Sequence, residues 1–255
     1  MAKFSANLGF LWTELPLVDA IRRAAEAGFD AVECHWPYDT APEDVREVLE
    51  KTGLPMLGIN TVKGKPGEFG LLALSGREAE ARAAIDQAIA YAASIGAHGI
   101  HAMSGIASGE AARQTFVQNL IYATEKAAPH GITILIEPIN SVDVPGYFMH
   151  RTADAAEIIA KIGAPNLKMM FDFYHLQIME GDLTRLVQRL LPIIGHIQFA
   201  SVPTRGAPDQ GELDFSYIFK MLDDLGYDRP LGAEYRPLTT TEASLDWMKT
   251  LTRRI

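Results

Sequence analysis

The hydrophobic pattern alternates along the whole chain between short apolar runs and longer amphipathic stretches. The short runs have the length of buried β-strands, and the stretches between them repeat apolar positions every three or four residues, as helices do. Strands are predicted over residues 4–8, 30–34, 56–60, 99–103, 133–138, 167–172, 195–200 and 231–236. Helices are predicted over residues 15–27, 42–52, 76–95, 109–129, 152–163, 182–191, 215–225 and 241–253.

Eight strand–helix repeats in succession are typical of a closed parallel (β/α)8 barrel, the TIM barrel. No Pro-, Gly- or Ser-rich linker interrupts the chain, so we expect residues 1–255 to form a single TIM-barrel domain. Three longer irregular segments, 61–74, 139–151 and 201–214, each follow a predicted strand. We therefore expect them on the C-terminal face of the barrel, where the active sites of this fold lie.

Four polar side chains lie at or near the ends of four successive predicted strands: Glu137, Asp172, Gln198 and Glu234. A polar group at such a position is costly to bury unless it has a partner. Four oxygen donors on neighbouring strands would converge on one point, and an all-oxygen ligand set suits Mg²⁺ or Mn²⁺ better than zinc or copper. The alternative is that each residue only caps its strand or pairs with a nearby Arg or Lys. The pattern favours a divalent metal site.

Further polar residues are expected on the same face. His175 follows Asp172 by three residues, and Arg205 and Glu212 lie in the seventh loop, where an arginine can bind a substrate carboxylate. All three are candidate substrate-binding residues. Weaker candidates, by position only, are Lys63, His101 and Asn140. Aromatic residues that either wall the site or pack in the core are Trp12 and the run His35–Tyr38. The histidines interpreted as structural are His98, His130, His150 and His196.

Composition narrows the possible functions. The 255-residue chain is 48% hydrophobic and carries a net charge of −9, which disfavours binding to nucleic acid or to an anionic membrane. Its one cysteine excludes an internal disulfide. The N-terminus lacks a signal-peptide pattern and no apolar run reaches membrane-spanning length, so we expect a cytoplasmic protein. A small-molecule substrate is expected, and a homo-oligomer stays open.

Several motifs are absent from the sequence. It contains no GxGxxG, Walker P-loop, HExxH or GxSxG motif. The loops after the seventh and eighth predicted strands also lack the glycine-rich turn of a barrel phosphate site. An unphosphorylated substrate is therefore favoured.

Several segments together resemble one family. LIEPIN, FDFYHLQIMEGDL, GHIQFASVPTRGAPDQGELD and AEYRPLTTTEASLDWM, with FSANLGF at the start and WPYD after the second strand, resemble the hydroxypyruvate isomerase family. That family belongs to the xylose-isomerase-like barrels and includes 2-oxo-tetronate isomerases. The resemblance covers nearly the whole chain. It implies an aldose–ketose type isomerase of carbohydrate metabolism that converts a small hydroxy-carbonyl acid, such as hydroxypyruvate to tartronate semialdehyde, through an enediolate.

The resemblance also implies roles for individual residues. The family glutamates that match Glu137 and Glu234 hold the metal and move protons, and the positions that match Asp172 and Gln198 complete the metal shell. By similarity to the related sugar 3-epimerases, His175 and Arg205 contact the substrate.

Two departures and two alternatives qualify this expectation. The related epimerases usually carry His at the position of Gln198, which favours the isomerase branch, whereas the segment NTVKGKPGEFG differs from the loop of typical members and leaves the exact substrate open. Three other functions compete with that of the isomerase. A metal-dependent ketose 3-epimerase is the first alternative. The second is a non-catalytic barrel that binds a sugar acid and has no need for two opposed glutamates. An endonuclease-like phosphodiesterase would need a histidine-rich multi-zinc site and a basic face, which this acidic chain fits poorly.

Overall fold

The computed structural model describes residues 2–251, in which eight parallel strands form one sheet. The strands are β1 (Phe4–Asn7), β2 (Ala31–Glu33), β3 (Ile59–Asn60), β4 (Gly99–His101), β5 (Thr133–Ile136), β6 (Leu167–Asp172), β7 (Ile194–Phe199) and β8 (Leu231–Ala233). Their order in the sheet is β2-β1-β8-β7-β6-β5-β4-β3. The four strands that precede or contain the predicted metal ligands, β5 to β8, are therefore direct neighbours.

The two outer strands of this order approach each other and nearly close the barrel. Val32 in β2 forms a parallel bridge with Met56, which lies just before β3. The backbone N–H of Leu57 donates to the carbonyl of Val32 at 2.7 Å. The prediction of a TIM barrel is confirmed.

Nine α-helices lie in the described residues, in the connections between strands and after β8. They are α1 (Leu17–Glu26), α2 (Pro42–Thr52), α3 (Glu78–Ile95), α4 (Gly109–Ala127), α5 (Thr152–Ile162), α6 (Phe173–Met179), α7 (Leu183–Leu190), α8 (Phe215–Asp224) and α9 (Trp247–Thr250). None of these is both long and apolar enough to cross a membrane.

The C-terminal predictions need correction. The predicted strand 231–236 ends at Ala233, because the chain beyond Glu234 leaves the sheet and the N–H of Arg236 donates to the carbonyl of Arg205 at 2.7 Å. The predicted helix 241–253 is a 3-10 turn over Glu242–Ser244 followed by the short α9, and residues 252–253 lie outside the described residues. The hydroxyl of Tyr235 holds that turn through Ser244 Oγ at 2.7 Å.

Helix α6 was not predicted. It starts directly at the end of β6, and Asp172 caps it by accepting a hydrogen bond from the N–H of Tyr174 at 2.9 Å. His175 therefore lies in the first turn of a helix rather than in a loop. A side chain in that turn is held much more firmly than one in a loop.

Aromatic rings fill the space between the barrel wall and the last two helices. The ring of Phe4 in β1 lies edge-on to Phe219 in α8 at 5.1 Å and to Trp247 in α9 at 4.9 Å. Phe199 in β7 contacts the same two rings. Edge-to-face pairs of this kind contribute about 0.5–1.5 kcal/mol each beyond area burial, so they anchor the C-terminal segment on the barrel.

Candidate metal centre and active site

Four acidic and imidazole side chains meet at the C-terminal end of the barrel. Glu137 follows β5, Asp172 ends β6, His175 lies in α6 and Glu234 follows β8. Each offers one ligand atom, and these atoms all lie within 4.8 Å of one another. All four residues are buried. We call them the rim cluster; this spacing can hold a metal ion.

Three carboxylate or carboxamide oxygens at this end of the barrel are buried without a hydrogen-bond partner. They belong to Glu137 (Oε1), Asp172 (Oδ2) and Gln198 (Oε1). An unpaired buried acceptor costs about 1–3 kcal/mol, and more when it is charged. Three such atoms on three adjacent strands are what an oxygen-ligated cation would satisfy, so the residues present fit a divalent metal.

Glu234 is the one carboxylate of the rim cluster with a full set of partners. Its Oε1 accepts from Asn7 Nδ2 at 3.0 Å and lies 2.8 Å from His35 Nε2. Its Oε2 accepts from the guanidinium of Arg205. Burial alone would raise the pKa of Glu234, but the charge of Arg205 and the bond to His35 outweigh it and hold this pKa well below the ordinary value. Glu234 is a carboxylate at neutral pH.

The other two carboxylates lack that support. Burial, together with the charges of Glu234 and Asp172, raises the pKa of Glu137 well above its ordinary value. Burial also raises the pKa of Asp172 from 3.8 to about 7, although Arg205 opposes the shift. The positive charge of Arg205 is therefore not enough for three carboxylates, and a divalent cation would supply the remainder.

Arg205 is packed tightly against the cluster. Its guanidinium carbon lies 4.7 Å from the ring centre of Phe10 and 4.9 Å from that of Tyr174, and its Nη2 is 3.6 Å from Asp172 Oδ2. The backbone has φ of 54°, in the left-handed region that non-glycine residues rarely adopt. Such an imposed conformation at a site is typical of a functional constraint.

The proton of His175 can be placed from its neighbours. The backbone N–H of Asn140 donates to Nδ1 at 3.3 Å, so Nδ1 is an acceptor and the neutral ring carries its proton on Nε2. That Nε2 is 3.6 Å from both Glu137 Oε1 and Asp172 Oδ2. Burial first, and the charge of Arg205 second, lower the pKa of His175 well below its ordinary value. His175 therefore presents a neutral N–H donor to the centre.

A fourth buried carboxylate, Glu33, lies against Gln198 and was not predicted. Glu33 Oε1 accepts from Gln198 Nε2 at 2.7 Å and from Asn7 Nδ2 at 2.9 Å, while its Oε2 is 2.6 Å from His196 Nε2. The sequence carried a usable signal, because Glu33 ends an apolar strand in the same way as the four predicted ligands. His101, a weak candidate, also reaches the site, with Nδ1 3.4 Å from Glu137 Oε2; burial lowers its pKa to about 4.

Other candidates lie elsewhere. Glu212 is exposed and accepts from Gln177 Nε2 at 3.1 Å, outside the rim cluster. Lys63 is exposed, with Nζ 3.7 Å from the ring centre of Trp36. Trp12 is buried in the core and its indole donates to Glu242 at 2.7 Å.

The family follows from this fold and from a direct match. The family described as the xylose isomerase-like TIM barrel matches residues 21–251. The chain belongs to this family. It is 45% identical to the 2-oxo-tetronate isomerase of Cupriavidus necator, with 98% of each chain covered. It is 39% identical to the hydroxypyruvate isomerase of Escherichia coli, with 97% of this chain and 98% of the relative covered.

A solved structure agrees over the same length. It is a protein of Brucella melitensis described as an AP endonuclease of family 2, and it is 41% identical to this chain. The two superpose with a TM-score of 0.94, over 98% of this chain and 99% of the other. The 3-keto-D-glucoside 4-epimerase of Escherichia coli superposes with a TM-score of 0.83 at 23% identity and supports the fold alone.

Proposed function

We propose that this protein is a divalent-metal-dependent isomerase that interconverts a small 2-oxo-3-hydroxy acid and its 2-hydroxy-3-oxo isomer, which for hydroxypyruvate is an aldehyde. Hydroxypyruvate and the 2-oxo-tetronates are the substrates to test first, since the relatives at 45% and 39% identity carry those names. The observation that carries the proposal is the set of three unpartnered buried oxygens at the ends of adjacent strands. A barrel that only bound a sugar acid would have no need for them.

The cation would be held by Glu137, Asp172, Gln198 and Glu234. All donors of this set are oxygens, which favours Mg²⁺ or Mn²⁺. When bound, such a cation supplies positive charge that stabilises negative charge on the substrate oxygens and acidifies the neighbouring carbon.

The reaction moves one proton between adjacent carbons. Hydroxypyruvate loses a proton from C3 to give an enediolate, and a proton added at C2 then gives tartronate semialdehyde, while the hydroxyl proton passes from the oxygen on C3 to the oxygen on C2. Glu137 and Glu234 follow β5 and β8, the two outer strands of the four, so they approach a substrate between them from opposite sides. One glutamate removes the proton and the other delivers it.

Two further residues orient the substrate. The neutral Nε2–H of His175 can donate to a substrate oxygen, and its buried position excludes competing water. Arg205, fixed between two aromatic rings, can pair with a substrate carboxylate while it neutralises Glu234. The charge of Arg205 therefore favours an acid over an uncharged ketose.

Phosphodiester cleavage is the activity least supported by the site. In residues 2–251, one group of acidic or imidazole residues meets metal-binding spacing, and it contains a single histidine. The net charge of −9 also opposes binding to DNA.

The test is a substrate panel followed by NMR. Protein treated with a chelator is mixed with hydroxypyruvate, a 2-oxo-tetronate or a ketohexose, with and without added Mg²⁺ or Mn²⁺. We expect the 2-hydroxy-3-oxo isomer of an acid, an aldehyde from hydroxypyruvate and a ketone from a 2-oxo-tetronate, only in the samples with added metal. An epimerised ketose, or equal turnover without metal, would contradict the proposal.

A further inference from the structure

A carboxylate with no part in the proposed reaction is buried beside the metal centre. Glu33, the last residue of β2, is 3% exposed. Its partners are one histidine and two carboxamides, and no Lys or Arg among the described residues pairs with it. Burying a carboxylate in this way is costly, so the arrangement calls for an explanation.

Glu33 dictates how the carboxamide of Gln198 is turned. A carboxylate oxygen only accepts hydrogen bonds, so the group that lies 2.7 Å from Glu33 Oε1 must be the NH₂ of Gln198. The other end of that carboxamide, Oε1, is buried and has no hydrogen-bond partner. The bond to Glu33 thus leaves the oxygen, and not the NH₂, for a cation.

The same carboxylate also acts on Glu234 through Asn7. The Oδ1 of Asn7 accepts from the N–H of Gly9 at 2.9 Å, which turns its NH₂ toward the two glutamates. Asn7 Nδ2 then lies 2.9 Å from Glu33 Oε1 and 3.0 Å from Glu234 Oε1. Glu33 therefore orients two of the four proposed metal ligands, Gln198 directly and Glu234 through Asn7.

The chain leaves space for this arrangement at a glycine. Gly232 in β8 is in register with Gln198. A Cβ atom added at Gly232 would lie 2.7 Å from Glu33 Oε1 and 2.8 Å from Gln198 Cγ. Any side chain there would push the carboxylate and the carboxamide apart. His196 Nε2 lies 2.6 Å from the remaining oxygen of Glu33, Oε2, and so fixes the carboxylate in this orientation.

We propose that Glu33 is a positioning residue of the metal centre: it turns the carboxamide oxygen of Gln198 toward the cation and, through Asn7, fixes Glu234. The inference rests on the proposed function, because it assumes that a cation binds these oxygens. Partners that orient metal ligands typically contribute about 10- to 100-fold in metal affinity.

The test is a titration of chelator-treated protein with Mn²⁺, followed by calorimetry. Glu33→Gln keeps the shape of the side chain but can present either end of its amide to Gln198. We expect its Mn²⁺ affinity to fall about 10- to 100-fold while its metal-free melting temperature stays near that of the wild type. The matched control is Glu180→Gln, which alters a carboxylate that holds Thr152 instead; its affinity is expected to be unchanged.

A double-mutant cycle separates positioning from general damage. If Glu33 acts through Gln198, Glu33→Gln costs clearly less affinity in a Gln198→Met background than in the wild type. Losses that simply multiply would overturn the proposal. If Glu33→Gln does not fold, Glu33→Asp replaces it, and the shorter carboxylate should also weaken Mn²⁺ binding.

The possible failures can be told apart. Wild-type Mn²⁺ affinity in a folded Glu33 variant would refute the positioning role alone. Absence of Mn²⁺ binding to the wild type would refute the metal-dependent function, and with it this inference.

Discussion

Two neighbouring sets of buried polar groups in this barrel differ in how well they are satisfied. Around Glu33, both carboxylate oxygens have close partners, at 2.6 to 2.9 Å. In the rim cluster, Glu137 and Asp172 each keep an oxygen without a partner. Both sets are equally buried, so solvent does not explain the difference.

The difference agrees with the two proposed roles, a positioning network around Glu33 and a ligand site in the rim cluster. A satisfied carboxylate is held in place by its partners. An unsatisfied one is destabilising in the metal-free protein and gains when a cation arrives. The raised pKa values of Glu137 and Asp172 reflect the same deficit, and the fully paired Glu234 shows the opposite shift.

The largest expected effect is on catalysis by the two glutamates. Glu137→Gln and Glu234→Gln keep shape and one oxygen donor but cannot accept a proton, so each is expected to lower kcat by roughly 10²–10⁴-fold. Circular dichroism should show that both variants stay folded. Near-wild-type turnover in either variant with metal bound would exclude a two-glutamate mechanism.

The stability of the metal-free protein should depend on pH, because the buried carboxylates lack a compensating positive charge. Asp172 has a folded pKa of about 7 against 3.8 when unfolded, so between these values the native state binds the extra proton and stability falls as pH rises. Buried histidines act in the opposite direction below about pH 6.5, so the comparison is made with Asp172→Asn, a neutral isostere.

Relative to that variant, the chelator-treated wild type should lose on the order of a few kcal/mol between pH 4 and pH 8 in urea unfolding. If the stability difference between the wild type and Asp172→Asn does not change with pH, the pKa of Asp172 is not raised in the folded protein.

Metal should stabilise the fold through the rim cluster. A cation at tenfold excess over its dissociation constant adds about 1.4 kcal/mol to the free energy of unfolding. Asp172→Ala is expected to lose most of this gain in a thermal-shift assay with Mn²⁺. An undiminished shift in the variant would remove Asp172 from the ligand set.

How far the sequence predicts this molecule depends on where the deciding contacts lie. Strand–helix alternation is local, so the bounds of α2 and β6 match the prediction and the barrel follows. Helix α6 was missed because its seven residues are too few for a clear apolar period.

The site could be predicted only in part, because some of its residues follow a local pattern and others are joined by contacts distant in sequence. Glu137, Asp172, Gln198 and Glu234 carry a strand-end pattern that can be recognised locally. The contacts of Glu234 with Asn7 and His35 join opposite ends of the chain, and the sequence alone does not pair them. Glu33 has the same strand-end pattern in the first half of the chain, far in sequence from the four predicted ligands.

The smallest expected effect is at Glu212, which was predicted to bind substrate. Its side chain is exposed and bonds Gln177 in the structure. Glu212→Ala is therefore expected to change stability by less than about 0.5 kcal/mol and to leave Mn²⁺ affinity unchanged. A large rise in the KM of Glu212→Ala with unchanged Mn²⁺ affinity would show that Glu212 binds substrate after all.

The most direct test of the central claim follows the transferred proton. The metal-loaded protein is incubated with hydroxypyruvate in D₂O, and the product is examined by NMR. A proton transfer through the two glutamates predicts deuterium at C2 of tartronate semialdehyde, and no product in the chelator-treated sample. Product without deuterium would contradict the account, because the same hydrogen would then have moved from C3 to C2, either directly or on a single carboxylate, and not through two glutamates.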